Sequence, residues 1–199
     1  MTLITSVTIE ADDPTAAESF YATAFDLGPL VRVRAASAAT SGFRGFTLSL
    51  LASQPANVIA LTDAALAAGA TSLKPAAKSL WGFGSSVQAP DGTIWTIASS
   101  SKKDTAPASR EVQNVVLLIA PEDVAASRDF YVAHGLTVGK SFGRKYVEFD
   151  LPGSPIGFGL NPRRLLAKNA GVAPEGSGSH RLAITGAAFT DPDGFVWEA

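Results

Sequence analysis

The 199-residue sequence contains no cysteine and only two histidines. The first absence removes disulfides, thiolate nucleophiles and cysteine-type zinc sites together, and it fits a reducing compartment. The second leaves no assembly of Ser, His and Asp that can be traced along the chain, and there is no G-x-S-x-G elbow. Charge is scarce, with Asp, Glu, Lys and Arg making up 17% of residues and a net charge of −2. No Lys/Arg run marks a nucleic-acid or anionic-lipid partner. No apolar run approaches the ~18 residues of a membrane helix. Residues 1–13 carry no basic stretch and reach Asp12-Asp13 early, so no cleaved leader is expected. These absences predict a soluble, cytoplasmic protein with neither nucleic acid nor membrane as partner.

What is present is enough apolar residue, 46%, to build a core. Two stretches share one frame: Ala89–Ala98 reads APDGTIWTIA and Thr190–Ala199 reads TDPDGFVWEA. In each, Pro presets φ, Asp can bond its own backbone and Gly accepts positive φ, so a tight turn is predicted. A β-rich run follows each turn, Thr93–Ile97 and Phe195–Glu198. Two turns of this kind predict two copies of one unit, over residues 1–100 and 112–199, joined by a polar, aperiodic linker at 101–111. The copies differ most usefully at Thr96 against Glu198.

Alternation predicts a strand over Leu3–Glu10. Asp13 can cap a helix with Pro14 in its first turn, and Ala17, Phe20, Tyr21 and Ala24 give that helix one apolar stripe. Strands are predicted over 30–35, with Arg32 and Arg34 on one face, and over 43–51. An Ala/Leu-rich helix follows over 56–68 and closes at Gly69. The polar, Gly-rich stretch to Ser86 reads as a loop. The second copy repeats the scheme. It has a strand over 112–120, a helix over 124–134 carrying Phe130-Tyr131, a strand pair joined at Gly143-Arg144, a strand over 156–160, a short helix ended by Gly171, and a strand over 180–185. Only Gly186-Ala187-Ala188 stand where the first copy has its second helix.

Phe20-Tyr21 with Pro90-Asp91-Gly92, and Phe130-Tyr131 with Asp191-Pro192-Asp193-Gly194 and Glu198, give a pattern that resembles the vicinal oxygen chelate superfamily. That group contains glyoxalases, bleomycin-resistance proteins and extradiol dioxygenases. The resemblance covers nearly the whole chain. It implies an α+β fold of two tandem domains, each of paired βαβββ modules whose curved mixed sheets form cups. Enzymes of this superfamily place a His on the first strand, His or acidic ligands on middle strands and a Glu on the last. The first-strand position falls on Ser6 and Val116, and the last-strand position on Thr96 and Glu198. The second copy thus keeps Glu198, with His180 on a nearby strand, which makes two ligands where a divalent ion needs three or four.

Two functions follow from the resemblance. In the first, the protein binds a small apolar or aromatic molecule without a metal, Trp81 and Phe83 forming a lid and Val116 and Leu118 an apolar cup wall. The cup-side positions Ser6, Thr8 and Glu10 in the first copy match Val116, Leu118 and Ala120 in the second, which predicts one polar cup and one apolar cup. In the second function, a lyase or dioxygenase centre with Zn, Ni or Fe is built on Glu198 and His180 as catalytic residues, completed by Glu148 or Asp150. Open sheet edges in such an architecture favour a homodimer.

Overall fold

A computed structural model of the chain describes residues 3–80 and 82–199. The first copy runs β1 (Ser6–Ala11), α1 (Pro14–Ala24), β2 (Val31–Ala35), β3 (Ser41–Gly42), β4 (Phe46–Leu51), α2 (Pro55–Ala67), β5 (Thr71–Ser79), β6 (Gly82–Gln88) and β7 (Ile94–Ser99). The second runs β8 (Asn114–Ile119), α3 (Val124–Ala133), β9 (Thr137–Ser141), β10 (Val147–Asp150), β11 (Ile156–Leu160), α4 (Arg163–Ala170), β12 (Gly176–Ser177), β13 (Leu182–Thr185), β14 (Phe189–Thr190) and β15 (Val196–Glu198). No helix among the described residues is long and apolar enough to cross a membrane.

Local chemistry sets the helix ends as the sequence predicts. The Asp13 carboxylate accepts from Ala16 N at 3.0 Å, and Asp123 accepts from Ala125 N and Ala126 N. Those two amides hold the Asp123 carboxyl below its ordinary range. Gly171, at φ 87°, ends α4 in the left-handed conformation. The stretch before Ser86 departs from expectation, because β5 and β6 form a hairpin there. Its Ser, Lys, Ala and Gly residues have weak strand propensity. The extended form comes from pairing β6 along β7, a tertiary effect that local sequence does not carry.

The sheets are assembled across the two copies. Parallel pairs β1/β2, β4/β7, β8/β11 and β13/β15 recur along the chain. Antiparallel β4/β8 then joins the later half of the first copy to the earlier half of the second, giving the eight-stranded order β5-β6-β7-β4-β8-β11-β10-β9. Antiparallel β1/β13 joins the outer halves into the five-stranded order β14-β15-β13-β1-β2. The smaller sheet has only β2 on one side of β1, and no helix separates β13 from β14. The linker lies against the N-terminal end of α2. The Gln54 carboxamide accepts from Thr105 N and Ala106 N and donates to Ala106 O, and Asn57 accepts from Ser109 N.

One apolar core spans both sheets. Tyr21 and Tyr131 are buried in it, each tying a helix to a terminal turn. Tyr21 OH donates to Asp91 Oδ2 at 2.5 Å and Tyr131 OH to Asp191 Oδ2 at 2.6 Å. Trp95 and Trp197 pack beside these rings, with centroids 5.6 and 5.7 Å away. Burial, and then the adjacent carboxylate, push both phenols well above their ordinary pKa. Burial raises the Asp191 carboxyl as well, against the pull of its Tyr131, Phe195 and Asp193 donors. Tyr131→Phe should therefore cost about 1–3 kcal/mol in urea unfolding, because a buried carboxylate loses its charge-assisted donor. A cycle with Asp191→Asn should show a coupling of at least about 0.5 kcal/mol. Additive losses would refute the bond's role.

Candidate ligand-binding cup

Strand alternation divides each sheet into a core face and an outer face. On β4, Phe46, Leu48 and Leu50 enter the core, so Thr47 and Ser49 face outward. Thr96 lies level with Ser49 on β7, and their hydroxyls bond at 2.6 Å. On β8, Val115, Leu117 and Ile119 enter the core, leaving Val116 and Leu118 outward. The outer face of the eight-stranded sheet therefore combines hydroxyls from the first copy with aliphatic groups from the second. Helix α4 lies across this face. Leu166, Ala167 and Ala170 pack with Phe43, Ile94 and Ala120, and Ser86 Oγ donates to Ala170 O at 2.7 Å.

Beside α4 a cavity of about 530 Å³ remains, lined by Thr47, Phe83, Thr96, Ala98, Leu118 and Leu166 among others. Gly82 and Gly84 open its floor. A Cβ on Gly82, at φ +146°, would fall 2.0 Å from Ser99 O, so only glycine fits there. Lys74 and Lys78 of β5 also line the space. Lys74 Nζ donates to the carbonyls of Lys168 and Asn169 at the end of α4. Thr47 is fully buried, and its Oγ1 has no partner among the described residues. Such a hydroxyl costs free energy unless something entering the cavity meets it.

The structure brings some of the sequence-predicted residues here and places others elsewhere. Phe83 and Leu118 line the cavity. Val116 shares the face of Leu118 but packs toward Gly157, outside the lining. Trp81 lies outside the described residues. His180 sits in a short turn at a separate cavity of about 400 Å³, with Arg44, Arg163, Glu122 and Asp193. Trp197 pairs with Ile184, so Glu198 falls level with Thr185, on the order of 15 Å along the strand from His180. Glu148, which accepts from Tyr146 OH, and Asp150 stand on β10 in the other sheet. His180 and Glu198 are thus not brought together, and neither carboxylate proposed to complete them is near. Thr47, Thr96, Lys74 and Lys78 went unnoticed in the sequence. Alternation along 43–51 could have flagged Thr47, but the lysines lie where the sequence reads as loop.

The five-stranded sheet presents Ser6, Thr8 and Glu10 outward, with Arg34 level with Glu10. Arg34 donates through Nε to Glu10 at 3.1 Å and through Nη1 to Glu198 at 2.7 Å, so one guanidinium joins carboxylates from both copies. Its pKa is raised by the Glu198 bond foremost, with burial opposing. Burial pushes the Glu10 carboxyl upward, but the Ser37 amide and hydroxyl together with Arg34 outweigh it and hold it below the ordinary value.

The divalent metal that the sequence resemblance implies can be tested against these donor sets. Around the eight-stranded cup the positions offer hydroxyls, glycines and aliphatic groups. In the smaller sheet both carboxylates are already bonded by a guanidinium. Among the described residues no three His, Asp or Glu side chains converge. The residues present do not fit a tightly held divalent ion.

Comparison with solved structures agrees with this topology. Glyoxalase I from Zea mays superimposes at a TM-score of 0.59, 14% identical, over 93% of this chain and 74% of that one. A proposed dioxygenase from Bacillus subtilis does so at 0.56, 13% identical, over 94% and 71%. The chain has the vicinal oxygen chelate fold. No family model and no curated protein sequence matches it. At these identities the likeness to the glyoxalase and dioxygenase structures is one of fold, and this vicinal oxygen chelate scaffold carries its own outer-face residues.

The buried Glu10 should dominate the acid response. A lowered carboxyl adds stability that is present above the unfolded-state value and lost as pH falls through the folded one. Glu10→Gln should lower stability at neutral pH, and its deficit against wild type should vanish between about pH 5 and about pH 3 in urea titrations. A deficit unchanged across that window would show that the network carries no such linkage. Glu198→Gln, at the exposed end, should change stability by less than about 1 kcal/mol.

Proposed function

We propose that the protein binds a small molecule with an apolar or aromatic body in the cup of the eight-stranded sheet, and does so without a metal ion. The observation that carries this reading is the cavity beside α4, in which one buried, unpartnered hydroxyl, Thr47, stands among Thr96, Ala98, Leu118 and Leu166. A cleft that sets aliphatic side chains beside hydroxyl groups suits a small organic ligand with an apolar body. It suits a bare cation poorly, since the cation's desolvation would go uncompensated. The smaller sheet offers no such enclosure, because its outward carboxylates are held by Arg34.

The neutral fluorophore Nile red tests the reading. It should bind with one-to-one stoichiometry and with fluorescence enhancement. Ala98→Trp fills the cavity from the outer face and should abolish that binding, with the unfolding midpoint nearly unchanged. Thr47→Val keeps the shape but removes the hydroxyl, so it should retain Nile red. Failure of wild type to bind, or binding undiminished in Ala98→Trp, would overturn the assignment. Elemental analysis after dialysis provides a separate check, and stoichiometric Zn, Ni or Fe would defeat the metal-free reading.

A further inference from the structure

We infer that the ligand of this cup carries a neutral carbonyl group on its apolar body, met by hydroxyl protons that Thr47 and Thr96 leave unused. The inference rests on the reading of the cup as the binding site and adds the chemical class of its occupant. Its basis is a count of protons. Thr47, Ser49 and Thr96 stand on one face, since Phe46, Leu48 and Leu50 of β4 and Trp95 and Ile97 of β7 enter the core. Three hydroxyls bring three protons. Ser49 and Thr96, 2.6 Å apart, hold one of them between each other, and neither makes a further bond among the described residues. The Thr47 hydroxyl makes none, although its side chain is fully buried. Two O–H donors are left over.

The sheet itself does not take them up. β4 lies between β7 and β8, so its backbone carbonyls serve the ladders on both sides. Thr47 and Thr96 both line the cavity, and Ser49 is not part of that lining. With Ser49 donating to Thr96, the spare proton of the pair is the one on Thr96, and hydroxyls chained in this way strengthen one another. The two donors lie one strand and two residues apart, within reach of one small molecule. A carbonyl oxygen has two lone pairs and no proton of its own, so it answers donors without adding another. An alcohol would bring a further proton to be placed. A carboxylate would call for a cation, and the Lys74 ammonium on this face is engaged by the carbonyls of Lys168 and Asn169. Ala98, Leu118 and Leu166 remain to meet the apolar body.

Acetophenone and cumene share a shape and differ in the carbonyl. Both are titrated against the full chain by displacement of Nile red. The ratio of their affinities is read within each variant, so any change in Nile red affinity cancels, and the unfolding midpoint shows that the variant is folded. Thr47→Val and Thr96→Val should each weaken acetophenone about tenfold and leave cumene within about twofold, the loss expected of one hydrogen bond. Thr47→Ser should keep the wild-type ratio. A fall in one valine variant alone would support the inference and identify the hydroxyl that makes the bond. A ratio unchanged in both, or failure of acetophenone to displace bound Nile red from wild type, would overturn the carbonyl inference and leave the apolar cup standing. Absence of Nile red binding to wild type would remove the cup reading too.

Discussion

A buried phenol on a turn aspartate, made twice, anchors this architecture. Each bond fastens the first helix of a copy to its last turn, 70 and 60 residues further along. With its hydroxyl bonded, each tyrosine can lie within the core, and the two sheets close over it. The aspartates are not the pair that sequence alignment matches. Asp91 belongs to the Pro-Asp-Gly turn itself, whereas Asp191 stands before its Pro-Asp-Gly turn. In the second copy the turn aspartate, Asp193, bonds Glu122 N and Ser127 Oγ at the start of α3 instead. The interaction is kept while the residue that supplies it changes.

With the helices fixed to the turns, the sheets are free to form across the copies, and this decides the chemistry of each outer face. Sequence parity predicts one polar and one apolar cup. The smaller sheet does carry Ser6, Thr8 and Glu10, and Val116 and Leu118 do stand on the larger. Yet the larger face also receives Thr47, Ser49 and Thr96, because β4 pairs with β8. It is amphipathic rather than apolar. Helix α4 then covers part of that face, so the space left is a cavity beside the helix, shaped as much by Leu166 as by the strands.

In the smaller sheet one arginine joins two carboxylates that are far apart in the sequence. Glu10 and Glu198 come from opposite ends of the chain, and two carboxylates there would repel without a cation. Arg34 lies between them and bonds both. Its neighbour Arg32 occupies the same strand, β2, at the open edge of the sheet. A two-fold antiparallel pairing of that edge centred on Val33 would set arginine against arginine, so the charges also discourage edge-to-edge association.

Much of the fold was legible in the sequence because its signals are local. Asp13 and Asp123 cap helices, Gly171 ends one, and the Pro-Asp-Gly turns precede strands wherever they occur. The β5–β6 hairpin was not legible, since its residues become strand only through β7. Of the site, Phe83 and Leu118 could be named from aromatic and alternating patterns. Alternation along 43–51 could place Thr47 on an outward face, but its missing partner and the cavity it lines arise only from tertiary contacts. By itself the sequence determined most of the elements with their caps and turns, which follow from residues within a few positions of one another. Only the tertiary structure decided which halves share a sheet, which aspartate takes each tyrosine, and where α4 lies. Those choices depend on contacts between residues 60 to 179 positions apart, whose energies no local stretch encodes.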